Sequence, residues 1–117
     1  MTDGTHDRQA QGWFPHERLD VFHAALEFAA WVQSVRDKVP RAKLRGHLEE
    51  ASDSIVLNIC EGAGRSAGAR RNHFEIAYGS ASECHGAVCL CQIRKVPGSD
   101  DALILLHRIR RMLAGLK

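Results

Sequence analysis

Four stretches of this chain carry apolar residues at intervals of three and four, and proline or glycine separates each stretch from the next. That rhythm fits the roughly 3.6 residues of an α-helical turn, and nowhere does the chain show the alternation of a half-buried strand. In the first stretch Val21, Ala25, Phe28, Val32 and Val35 share one face, and Pro40 stops the helix by forcing the preceding residue out of helical geometry. Pro15 or Asp20 starts it, and Phe14 and Leu19 are expected to tuck against it. The second helix runs from Arg41 or Lys43 to Glu61, with Leu44, Leu48, Ala51, Ile55, Asn58 and Gly62 near one line and Gly62 and Gly64 as its end. Ser66 is the candidate N-cap of a third helix reaching about Lys95. One face of that helix holds Phe74, Ala77, Ala81, Val88 and Cys91 or Gln92, and a neighbouring stripe holds Ile76, Ser80, Glu83, Ala87 and Leu90. Gly79 and Gly86 each cost about 1 kcal/mol in a helix interior, and a closely approaching neighbour helix is the expected compensation. Val96-Pro97-Gly98 breaks the chain again, and Ser99-Asp100-Asp101 opens a fourth helix with a cap and two acids at the positive end of its dipole. Ala102, Leu106, Ile109, Leu113 and Leu116 form the last stripe. Four such helices on short connections predict an all-α, antiparallel up-down-up-down four-helix bundle over residues 14–117, after a disordered tail at 1–13.

The chain has 117 residues, enough for one real core. Its longest apolar runs, Phe28 to Val32 and Ala102 to Leu106, fall far short of the ~20 residues that cross a bilayer. The polar start lacks the hydrophobic segment of a secretion signal, so the cytoplasm is the expected location, with reduced thiols. Cys60, Cys84, Cys89 and Cys91 make no pair of Cys-x-x-Cys units, and Cys89-Leu90-Cys91 has the wrong spacing for a zinc knuckle. His85 and Cys89 stand four apart and share a helix face as a two-ligand half-site, but a free cysteine is more often a small buried hydrophobe. No metal or cofactor is expected.

A helical bundle with facing carboxylates invites a search for paired Glu-x-x-His motifs of a di-iron centre. None occurs, and Asp20-Val21-Phe22-His23 is the nearest approach. Glu61 and Glu83 would make an acid/base pair if they faced each other. Ser54, Asn58, Ser80 and Arg65 or Arg71 are available to hold them as structure instead. The expectation is a structural polar network of Ser54, Asn58, Glu61, Arg65, Ser80 and Glu83, with no catalytic residue; the plainer alternative is that Asn58 and Glu61 only set helix register. Gly62-Ala63-Gly64-Arg65 follows a helix and lacks the Gly-Lys-Ser/Thr ending of a phosphate loop. Free N–H groups at the start of the third helix, beside Arg65, Arg70 and Arg71, offer an anion site, and solvated surface charge is the competing reading.

A net charge of +2 announces no nucleic-acid partner, so any such signal lies in local concentration. Arg36, Lys38, Arg41, Lys43, Arg45 and His47 surround the first interhelical loop with only Asp37 among them. Arg94 and Lys95 form a second cluster, and His107, Arg108, Arg110, Arg111 and Lys117 a third on the last helix. Arg36, Lys38, Arg41, Lys43, Arg45, Arg70, Arg71, Arg108, Arg110 and Arg111 are the candidate contacts to RNA or DNA phosphates, against the alternative of an ordinary solubilising surface.

The string Ser54-Ile55-Val56-Leu57-Asn58-Ile59-Cys60-Glu61-Gly62 with Arg65, followed by Phe74-Glu75-Ile76-Ala77-Tyr78-Gly79-Ser80-Ala81-Ser82-Glu83, resembles the signature of the small bacterial four-helix-bundle proteins encoded in intervening sequences of large-subunit ribosomal RNA genes. Phe14, Leu19-Asp20-Val21-Phe22 and Ala25 match that family's opening, while Cys60 and Cys84 replace an expected alanine and leucine. The resemblance implies a homopentamer without enzymatic activity. It also implies kinship with the accessory variability determinant of diversity-generating retroelements, which binds a reverse transcriptase and nucleic acid through a basic surface. A non-enzymatic oligomeric adaptor for nucleic acid and a protein partner is the function it suggests; a protein-only scaffold is the alternative.

Overall fold

Pro15 and Asp20 both begin structure. The computed structural model describes residues 13–116, and in it a 3₁₀ turn at Pro15–Arg18 leads into helix α1, Asp20–Ser34. The tail expected over 1–13 lies, but for Trp13, outside the described residues. A second 3₁₀ turn, Arg36–Lys38, precedes α2, Ala42–Ala63; α3 spans Ala67–Ile93 and α4 spans Ser99–Leu116. No strand occurs among the described residues. Phe14 does not tuck in: its ring is 68% exposed, because its backbone N–H is bound by Glu17 Oε1 at 3.0 Å and its carbonyl by the Glu17 N–H at 3.0 Å, which closes the turn without the side chain. Leu19 does pack against the core.

Each helix lies against the next, and α4 closes the ring on α1. The pairs His47–Glu83, Ser54–Ser80 and Asn58–His73 advance along α2 as they retreat along α3, so these helices are antiparallel. Gln92–Asp100, His85–His107 and Tyr78–Arg110 show the same for α3 and α4. The molecule is an up-down-up-down bundle, and α3, at 27 residues, sets much of its 45 Å length. All five apolar positions predicted on α1 are buried, as are Leu44, Leu48, Ala51 and Ile55 of α2 and Ala102, Leu106, Ile109 and Leu113 of α4. Phe28 and Phe74 are the largest fully buried side chains, and each such aromatic contributes roughly 1.5–3 kcal/mol on leaving water.

The punctuation works differently from its sequence reading. Gly62 lies inside α2 rather than at its end, because a Cβ there would stand 2.8 Å from Cε1 of Phe74; the missing side chain lets α3 close on α2. Gly64 terminates the helix, its N–H reaching the carbonyls of Cys60 and Glu61. Ser66 occupies the N-cap position in extended geometry, but its hydroxyl makes no capping bond. Ser99 is the first residue of α4, and its hydroxyl donates backward to the Val96 carbonyl at 2.7 Å. The turn before it is held by α1: Trp31 Nε1 donates to the Pro97 carbonyl at 3.0 Å, and Gly98, at φ +79°, leaves room for the indole. Among the described residues no neighbouring helix approaches Gly79 or Gly86; a Cβ on either would meet nothing there within 4 Å, since both sit on the outer side of α3.

Candidate functional site

The polar residues of α2 and α3 form a short ladder across their seam. Asn58 follows Ser54 by one helical turn, which lets its Nδ2 donate to the Ser54 carbonyl at 3.0 Å and to Ser54 Oγ at 3.2 Å. Ser54 Oγ also meets Ser80 Oγ at 2.7 Å, and Asn58 Oδ1 accepts from His73 Nδ1 at 3.0 Å. A carbonyl oxygen can only accept, so His73 carries a proton on Nδ1. All four side chains are half-buried, and no buried side-chain N or O among the described residues lacks a partner. Sequence reasoning missed His73; its place seven residues before Ser80, hence on the same face of α3, was the available signal.

Three of the six expected network residues, Ser54, Asn58 and Ser80, are joined in this ladder. Glu61 instead pairs at 3.0 Å with Arg65, just past the end of its helix, and Glu83 pairs with His47 at 3.4 Å, all four side chains about half exposed. The two carboxylates flank the ladder at opposite ends, with the fourteen residues from His47 to Glu61 separating them by roughly 20 Å along α2. They form no acid/base pair.

Beside the ladder lies an exposed face. Ile76, Gly79, Glu83, Gly86, Leu90 and Ile93 follow one another at alternating steps of three and four, the rhythm of a helix seam, yet all are open to solvent. Ile76 is 43%, Leu90 44% and Ile93 74% exposed, and Leu57 of α2 adds another side chain at 63%.

The basic candidates are dispersed. The α1–α2 and α3–α4 connections share one end of the bundle, which gathers Lys38, Arg41, Lys43, Arg94 and Lys95 there. Arg36 is tied to Glu49 at 3.1 Å and Asp37 at 3.9 Å, and Arg45 Nη1 donates to the Val39 carbonyl at 3.4 Å. Arg70 and Arg71 stand at the opposite end, where the Arg70 guanidinium covers the Phe74 ring at 4.8 Å. Arg108, Arg110 and Arg111 are exposed along α4, and Arg110 Nη1 donates to the Tyr78 hydroxyl at 3.4 Å.

The four thiols are free. Burial pushes the Cys84 thiol up to about 12, with Glu83 adding to the effect, and burial raises Cys60 and Cys91 as well. These three stay protonated and inert at neutral pH. Cys89 Sγ does reach His85 Nδ1, at 3.8 Å, but among the described residues no group of three or more metal-ligating side chains converges. Nor is any described helix long and apolar enough to cross a membrane.

Neither curated proteins nor solved structures provide a match to this chain. A family model described as 23S rRNA-intervening sequence protein matches residues 17–117, a span that takes in all four helices, the serine–asparagine ladder and the exposed face of α3. The chain belongs to the 23S rRNA-intervening sequence protein family.

Proposed function

We propose that this protein is a non-enzymatic, self-associating adaptor of the cytoplasm that presents basic surface to RNA or DNA and docks a protein partner. The exposed face of α3 carries the reading. Its two glycines cost about 1 kcal/mol each in a helix interior, and none of the described residues packs within 4 Å of where their side chains would stand. A helix from another copy, packed between Ile76, Leu90 and Ile93, supplies the missing neighbour and buries the apolar side chains. Five copies, the number the family resemblance implies, would multiply the basic end and raise its avidity for a polyanion. By the same kinship, the protein partner is of the reverse-transcriptase kind.

Light scattering tests the assembly: a pentameric mass is expected, and Ile76→Asp with Leu90→Asp should give single chains of unchanged helicity. A single-chain mass for the unaltered protein ends the adaptor reading. Gly79→Ala with Gly86→Ala should weaken assembly while stabilising the lone chain by about 1 kcal/mol or more. RNA affinity should fall steeply from low to physiological salt, and binding without a salt slope refutes the electrostatic part. The engagement of Arg36 and Arg45 inside the chain favours one competing reading, a protein-only scaffold. In that case Arg41→Glu with Lys43→Glu leaves partner binding untouched.

A further inference from the structure

We propose that the groove between α3 and α4 binds a phosphate group. A hollow of about 200 Å³ opens there, lined by Ala81, Ser82, His85, Leu106, His107 and Arg110. Ala81 and Leu106 are buried and make an apolar floor, while Arg110 and the two imidazoles line the mouth. The volume lies below the roughly 300–1,000 Å³ of a drug-sized site, which suits a small anion or the phosphate end of a larger molecule.

The charge balance of the groove is one-sided. Among the described residues no carboxylate lines it, α4 carries no acid beyond Asp101, Glu83 is turned to His47 on α2, and Glu75 lies about 10 Å along α3, two turns before Ser82. Arg110 is poised by the Tyr78 hydroxyl and forms no ion pair among the described residues. His85 and His107 stand edge to face with ring centroids 5.3 Å apart. Cys89 Sγ and His85 Nδ1 approach to 3.8 Å, and either can be the donor. The Ser82 hydroxyl is spent on the Tyr78 carbonyl at 3.2 Å, so the donors available to a ligand are one guanidinium and two imidazoles. Among the described residues these imidazoles contact each other, His85 also meets Cys89, and Arg110 shares their groove. A phosphate between them neutralises the guanidinium and accepts hydrogen bonds from both rings. Carried by α3 and α4 alone, the site needs no second copy of the chain, and it shares only Arg110 with the basic surface proposed above.

The probe is inorganic phosphate, titrated at constant ionic strength while the ring resonances of His85 and His107 are followed by NMR. Both should shift saturably, and Arg110→Gln should weaken binding about tenfold or more. Absence of a saturable shift, or equal binding by Arg110→Gln, overturns the proposal. Unchanged helicity of that exposed-site variant shows that the fold is not at issue. Competition by a mononucleotide 5′-monophosphate would place the source at a terminal phosphate, and competition by a short RNA without terminal phosphate would place it in the backbone. A chain that stays monomeric and ignores RNA would still respond to phosphate, so the failure of one idea is distinguishable from the failure of the other.

Discussion

Helix α3 meets α2 and α4 by different means. Against α2 the contact is close and polar: Gly62 admits Phe74, and the Ser54–Ser80 and Asn58–His73 bonds pin the two helices at defined heights. Against α4 the inner contact is made by apolar side chains such as Val88, Leu106 and Ile109, and the polar groups are displaced to an open groove. The half-buried hydrogen bonds lie at the first seam; at the second the side-chain bonds, Gln92–Asp100 and Tyr78–Arg110, lie in exposed positions over an apolar contact.

The largest test of that contrast is Phe74→Ala. Its ring is fully buried between Gly62 and the Arg70 guanidinium, so its loss should cost about 3–5 kcal/mol in urea unfolding. Ser82→Ala in the open groove should stay within about 0.5 kcal/mol, and comparable costs for the two would erase the distinction. Next in size is Gly62→Ala, at about 1–3 kcal/mol, because its Cβ strikes a core ring with no room to yield. Combined with Phe74→Leu it should cost less than the two changes added, since the clash then has no object. The remaining test is alkaline and is read as a slope. The Cys84 thiol ionises near 9.0 when unfolded and near 12 when folded, so above pH 9 the unfolded chain holds fewer protons. Stability should fall by about 1.4 kcal/mol per pH unit through that window, and Cys84→Ala should flatten the slope.

The helices and their buried stripes were legible because a single helix's own periodicity dictates which side faces inward. Val21 to Val35 on α1 needed nothing else. What periodicity leaves out is the height at which two helices meet, and that height decides partners. Glu61 and Glu83 are equally suited to the network by their places on separate helices, yet Glu61 takes the local Arg65 and the pairing height gives Glu83 to His47. The same height brings His73 to Asn58. Gly62 and Gly79 look alike in the sequence, but the first faces Phe74 and the second open space. Basic residues are the least legible of all, since Arg36 and Arg45 spend their donors inside the chain while Lys43 does not.

Trp31 gives the molecule an optical handle. Its indole N–H is fastened to Pro97, sixty-six positions away, and its ring leans on Phe28 with centroids 5.8 Å apart. Its emission therefore responds to whether the last turn is seated on the first helix. With Trp13→Phe removing the only other indole, a fluorimeter would read the detachment of that turn from a single emitter, without any attached dye.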